Sequence, residues 1–91
     1  MLISHVRKSI HSREARILQE LLRKARTEAG LTQEQLAERL GMGQAIVSNY
    51  ERGERRLDLV ELTQVLDGIG MPLRTFIDQY EQETGRINAE G

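Results

Sequence analysis

Residues 33–52 read QEQLAERLGMGQAIVSNYER, and this stretch predicts two short helices joined by a tight turn. Ala37 is small enough to lie where the backbones of two crossing helices approach each other. Gly41 tolerates the positive φ that a tight turn requires. Apolar residues that can hold the two helices together lie on both sides of that glycine: Leu36, Leu40, Met42, Val47 and Tyr50. Together these residues predict a helix-turn-helix.

Helical spacing continues upstream of this stretch. Apolar residues three and four apart predict a first helix, and they are Ala15, Leu18, Leu21, Leu22, Ala25 and Ala29. Gly30 is expected to end that helix. Thr32 followed by Gln35 has the pattern of a capping box, so the second helix is expected to begin there. The third helix is expected over about residues 44–52, with Gly53 after it.

Two further helices are predicted downstream. Asp58 and Glu61 have the spacing of capping residues, and the inner face expected behind them is Leu59, Leu62, Val65, Leu66 and Ile69. Gly68 and Gly70 are expected to close this fourth helix. Pro72 is interpreted as the first residue of a fifth helix, whose apolar face is Leu73, Phe76, Ile77 and Tyr80.

Five short helices with short connections predict an all-α fold, a compact five-helix bundle. The bundle domain is assigned to residues 14–80. Residues 1–13 are interpreted as an N-terminal arm, either flexible and basic or helical along Ile3, Val6 and Ile10. Residues 81–91 are polar and are expected to form a fraying tail.

Composition excludes several classes of site. The chain has no cysteine, so it can form neither a disulfide nor a thiolate metal site. Its two histidines, His5 and His11, lack the spacing of metal ligands. No set of residues suggests a nucleophile with its base, so we expect neither an enzyme nor a cofactor. No apolar run approaches the roughly 20 residues of a membrane span, and no signal peptide is recognisable, so a cytoplasmic protein is expected.

Charge is distributed unevenly along the chain. Residues 1–56 contain 11 Lys and Arg against 7 Asp and Glu, whereas residues 57–91 contain 2 against 7. The net charge of −1 therefore conceals a basic part and an acidic part. A basic part can face phosphates, although an asymmetry of this size also arises by chance in a short chain.

The third helix has a polar outer face. At 100° per residue, Ile46, Val47 and Tyr50 point to the core. The opposite side consists of Gln44, Ala45, Ser48 and Arg52, with Asn49 at its edge. Amide and hydroxyl side chains can make paired hydrogen bonds to base edges in the major groove, and Ala45 can contact a thymine methyl. The alternative is that these residues only solvate a helix.

These residues resemble the lambda repressor/Cro-type family, often called XRE. The resemblance is carried by LTQEQLA at residues 31–37, LG at 40–41 and VSNYERG at 47–53, and it extends from about Ile17 to Ile77. It implies that the third helix lies in the major groove of double-stranded DNA and that the second helix crosses above the phosphate backbone.

The resemblance also implies roles for individual residues. The base-reading positions fall on Gln44, Ala45, Ser48 and Asn49, which we call the reading face. The phosphate-contacting positions are Gln33, Arg55 and Arg56, and we add Arg52 from the end of the outer face. The family often pairs an arginine late in the first helix with the glutamate that ends the third. In this chain that structural ion pair is Arg26 with Glu51.

Two positions depart from the family. Gly43 occupies the place of a Ser or Thr that usually caps the third helix and touches phosphate, so the hydroxyl contact is lost. The N-terminal arm is then expected to supply additional affinity. Leu57 and Asp58 stand where the family often has proline, and Asp58 can cap the fourth helix without it.

The sequence therefore predicts a sequence-specific DNA-binding transcription regulator, a repressor that acts as a homodimer on a palindromic operator. Two copies related by a two-fold axis would read half-sites about 34 Å apart. The alternative is an antitoxin-like interaction module that represses its own operon and binds a toxin through the N-terminal arm or the fifth helix.

Overall fold

The computed structural model describes residues 12–85. Most of the predicted N-terminal arm and the end of the predicted tail lie outside the described residues. Five helices are present in that range, and no strand: α1 Arg13–Glu28, α2 Gln33–Leu40, α3 Gln44–Glu51, α4 Leu59–Ile69 and α5 Leu73–Thr84. The predicted all-α five-helix fold is confirmed. Within residues 12–85 no helix has the length and apolarity to span a bilayer.

Local signals set most of the helix ends. The Thr32 side chain accepts a hydrogen bond from the Gln35 amide, and the Gln35 side chain accepts one from the Thr32 amide, which completes the predicted capping box of α2. Asp58 and Glu61 form the same reciprocal pair at α4. Gly41 ends α2 with φ of 69°, as the turn into α3 requires.

The core lies where α2 meets α3 and α4, and where α1 meets α3 and α5. Its most deeply buried side chains come from four of the helices: Leu36, Val47, Val65, Leu66 and Phe76. Ala37 is buried as well, which is consistent with the expected close crossing of α2 and α3. The apolar faces of five short amphipathic helices thus share one core.

Three sequence-based expectations about α4 and α5 were wrong. Leu59 does not belong to the inner face of α4, because 64% of it is exposed. Gly68 lies inside α4, where an added Cβ would stand 2.7 Å from Leu40 Cδ2. That glycine therefore permits α2 to approach α4. Pro72 has ψ of 141° and precedes α5, which starts at Leu73.

Hydrogen bonds join the start of α1 to the end of α5. Arg13, assigned to the arm from sequence, is the first residue of α1, and its guanidinium donates to the carbonyls of Glu83 and Thr84 at 3.3 and 3.4 Å. These carbonyls lie at the end of α5, where cations are favourable. Helix α5 continues to Thr84, so residues 81–84 of the predicted tail are helical.

Candidate nucleic-acid interface

A buried ion pair fixes the end of α3 against α1. Arg26 Nε donates to Glu51 Oε2 at 2.7 Å, and Arg26 Nη2 donates to Glu51 Oε1 at 3.0 Å. Arg26 Nη1 donates to the Leu31 carbonyl at 2.7 Å, so this guanidinium is held on three sides. The ion pair predicted between Arg26 and Glu51 is thus present, and its two-point geometry fixes both distance and orientation.

A chain of amides runs outward from that ion pair. Gln33 Nε2, at the start of α2, donates to Glu51 Oε1 at 3.0 Å. Gln44 Nε2, at the start of α3, donates to Gln33 Oε1 at 3.1 Å. The network thereby assigns the orientation of both amides. Gln44 retains its own carbonyl oxygen and one N–H for an outside partner, while Gln33 retains one N–H.

The reading face is accessible along the outer side of α3. Gln44 and Ala45 are exposed, and Ser48 and Asn49 are half-buried. The structure brings these four side chains to one side, opposite the buried Val47 and Tyr50. Their contacts with bases stay a prediction.

Arg52 connects the reading face to the loop that follows it. Its guanidinium donates to Ser48 Oγ and, at 2.8 Å, to Asn49 Oδ1. It also donates to Glu54, with Nη2 at 3.1 Å from Oε1 and Nε at 3.4 Å from Oε2. The hydrogen bond from Arg52 holds the pKa of Glu54 below its ordinary value, and the Glu54 carboxylate raises the pKa of Arg52.

Arg55 and Arg56 lie in the same loop, between α3 and α4, and both are exposed. Arg55 Nη2 donates to Glu61 Oε2 at 3.0 Å. The pKa of Glu61 is lowered first by the hydrogen bond from the Asp58 amide and second by the one from Arg55. The structure thus places Arg52, Arg55 and Arg56 on one short loop, next to the end of the reading face.

Sequence reasoning missed the carboxylates that hold the arginines. Glu54 lies two residues after Arg52, and Glu61 was recognised only as a capping residue. The available signal was the alternation of charges in ERGERRLD, residues 51–58, which places acids among the candidate phosphate contacts. The pairing between Gln33 and Gln44 was also missed, because it depends on how α2 and α3 cross.

The start of α3 has no side-chain cap. Gly43 precedes α3 with φ of −75° and makes no side-chain hydrogen bond to the helix, so the hydroxyl cap is missing, as predicted.

The Tyr50 hydroxyl is buried and has no hydrogen-bond partner among residues 12–85. Burial, with the Glu51 charge beside it, raises the pKa of Tyr50, so the phenol stays neutral.

Comparison with known proteins gives consistent matches. A family model described as helix-turn-helix matches residues 22–76. The solved structure of an XRE-family like protein from Pseudomonas syringae pv. tomato is similar, with a TM-score of 0.76 and 40% sequence identity. That alignment covers 87% of this chain and 96% of that chain.

Restriction-modification controller proteins also match. The wild-type controller C.Esp1396I has a TM-score of 0.76 and 26% identity, covering 81% of this chain and 95% of that chain. The same controller, as a tetramer in complex with its natural 35 base-pair operator, has a TM-score of 0.74 and 26% identity, covering 80% of this chain and 96% of that chain. No curated protein matches the chain.

Proposed function

We propose that this chain, which belongs to the XRE-type helix-turn-helix family, binds double-stranded DNA sequence-specifically and regulates transcription from the operator that it recognises. The single observation that carries the proposal is the amide chain from the buried Glu51 through Gln33 to Gln44. It holds the Gln44 side chain, to which we assign base reading, in a defined orientation on the exposed side of α3. The support for a reading role is that a side chain already held in place loses less conformational freedom when it binds a base.

The amide orientation suits a particular base. In the major groove adenine presents N7 as an acceptor and N6 as a donor, and a glutamine amide can satisfy both. Gln44 has one N–H and its carbonyl oxygen left after it donates to Gln33. We therefore assign Gln44 to an adenine, with Ala45, Ser48 and Asn49 completing the reading face.

Phosphate contacts are assigned to the residues around that face. Gln33 has one amide N–H left for a phosphate oxygen, and Arg52, Arg55 and Arg56 lie on the adjoining loop. Such contacts fix the register of the protein on the duplex without specifying sequence. The proposed assignment thus includes the two kinds of contact that a specific DNA-binding protein needs.

A homodimer on a palindromic operator is the proposed binding state. Leu59 and Val60 are each 64% exposed at the start of α4, and a second copy is the occupant we assign to them. A matching controller protein is described as a tetramer on its operator, which supports self-association in this architecture. The Leu59→Ser, Val60→Ser double variant should sediment as a monomer with unchanged helical content. An unchanged dimer would exclude this surface.

Repression is the proposed outcome of operator binding, since a small DNA-binding dimer can act by occupying the site that polymerase needs. The chain should lower expression of a reporter placed behind the selected operator. A rise in expression would identify an activator.

The test of DNA recognition is selection of bound duplexes from a random pool at stated salt. We expect a palindromic motif, and Gln44→Ala should lose about 1–3 kcal/mol of binding and relax preference at one position in each half-site. Gln64→Ala, at an exposed position on α4, is the matched control and should bind as the wild type does. Failure to enrich any motif, or equal losses for Gln44→Ala on the motif and on unrelated DNA, would contradict the assignment.

A further inference from the structure

Two of the arginines assigned to phosphate already have carboxylate partners in the protein. Arg52 pairs with Glu54 at 3.1 Å and Arg55 pairs with Glu61 at 3.0 Å. Both pairs are open to solvent, because the four side chains are between 34% and 61% exposed. Solvent-exposed pairs of this kind are weak and can open.

We infer that Glu54 and Glu61 compete with DNA phosphates for Arg52 and Arg55, and so set the protein's affinity for DNA of any sequence. This inference rests on the proposed function. A carboxylate and a phosphate offer a guanidinium the same fork of charged oxygens, so one can replace the other. Binding then becomes an exchange of partners, and each arginine contributes less than a free cation would.

An exchange of arginine partners changes how the affinity for DNA depends on salt concentration. A free arginine that neutralises a phosphate releases counterions from the duplex, and each such contact steepens the slope of log affinity against log salt by about 0.9. An arginine that must leave a carboxylate keeps a negative charge beside the phosphate, so the net neutralisation is smaller. The wild-type slope should therefore be shallower than its number of arginine contacts implies.

Arg52 extends the competition to the reading face. The same guanidinium that holds Glu54 also donates to Ser48 Oγ and Asn49 Oδ1. When a phosphate draws Arg52 away, both acceptors become available to base edges. Glu54 is therefore a positioning residue: it acts through Arg52 on the availability of Asn49 and Ser48.

The experiment uses Glu54→Gln and Glu61→Gln in the full chain. Glutamine at position 61 retains an oxygen that can accept from the Asp58 amide, so the capping box of α4 is kept while the charge is lost. Each variant should bind an unrelated duplex about two- to fivefold more tightly at low salt. The salt slope should steepen by up to about 0.9 for each arginine released.

Two controls separate partner exchange from a general change in charge. Glu38→Gln removes one negative charge from an exposed position on α2 that pairs with no arginine among residues 12–85, so it reports the long-range effect alone. In an Arg52→Gln background, Glu54→Gln should have no more effect than Glu38→Gln. Circular dichroism and urea unfolding of all variants should match those of the wild type.

The outcomes are distinguishable. Tighter binding and a steeper slope for Glu54→Gln that disappear in the Arg52→Gln background support the competition. If the wild type binds DNA but both variants behave as Glu38→Gln does, or if the gain of Glu54→Gln persists without Arg52, the competition is overturned and the proposed function stands. If the wild type binds no duplex, both fall together.

Discussion

Two arginine–glutamate ion pairs lie near the end of α3, one buried in the core and the other exposed to solvent. The side chains of Arg26 and Glu51 are 9% and 3% exposed, whereas those of Arg52 and Glu54 are 54% and 61% exposed. The buried pair fixes one helix against another, and the exposed pair can be broken at little cost. The comparison indicates that one arginine anchors the end of α3 in the core, whereas the other makes contacts that solvent or another partner can replace.

The buried pair is acceptable because its remaining hydrogen-bonding capacity is used. Arg26 also donates to the Leu31 carbonyl, and Glu51 also accepts from Gln33. Desolvating two charges is costly unless such additional hydrogen bonds are present. The pair therefore positions the Gln33 amide as well as linking α1 to α3.

Removing one partner of the buried pair should have the largest effect. Glu51→Ala leaves the Arg26 guanidinium buried without its counter-charge, and the free energy of unfolding should fall by about 3–5 kcal/mol. Urea unfolding followed by circular dichroism measures it. Glu54→Ala is the matched control on the exposed pair, and its unfolding curve should superimpose on that of the wild type. Equal losses from the two substitutions would show that burial does not distinguish the pairs.

Breaking the amide chain should have a smaller effect, visible in binding. Gln33→Ala removes both a proposed phosphate contact and the group that orients Gln44, so its effect should overlap with that of Gln44→Ala. In a double-mutant cycle on the selected operator we expect a coupling energy of about 0.5–2 kcal/mol. Ser48→Ala combined with Gln33→Ala serves as the comparison cycle. Purely additive losses for Gln33 and Gln44 would mean that each contacts DNA independently.

The smallest effect concerns the titration of Glu54. Its pKa is depressed below the ordinary 4.5 by the hydrogen bond from Arg52, so above that pH the solvent-screened pair stabilises the folded protein by an amount too small to displace its urea unfolding curve. That contribution is lost as the pH falls through the lowered pKa. Arg52→Gln should move the Glu54 midpoint back up towards 4.5, measured by NMR of the side-chain carboxyl carbon. An unmoved midpoint would show that Arg52 does not hold Glu54 in solution.

Sequence reasoning located the parts of this fold that are set by neighbours in the chain. The capping boxes at Thr32 and Asp58 and the positive φ of Gly41 depend on contacts within a few residues. The residues of the reading face followed from the helical period of α3 combined with family resemblance. Arg26 and Glu51 were identified by resemblance alone, since they are far apart in sequence.

What sequence did not predict depends on which elements meet in space. Periodicity placed Leu59 on the inner face of α4, although the described part of the chain leaves 64% of it exposed. Gly68 resembled a helix-ending glycine, and only the approach of Leu40 reveals its role. Arg13 follows Ser12, whose side chain caps α1 by accepting from the Ala15 backbone N–H, whereas the bonds from Arg13 to the end of α5 depend on how the two helices meet.

The two ends of α3 differ in how well their backbone is protected from solvent. The helix begins without a side-chain cap and ends at Glu51 in a two-point bond to Arg26. The first amides of any helix lack an acceptor in a preceding turn, and Gly43 offers no side chain in its place, so amide protons near the start of this eight-residue helix should exchange with solvent faster than those near its end. The less protected backbone at the start of α3 bears Gln44, whose side chain nevertheless stays hydrogen-bonded to Gln33, so side-chain contacts rather than the helix cap hold this end of the helix.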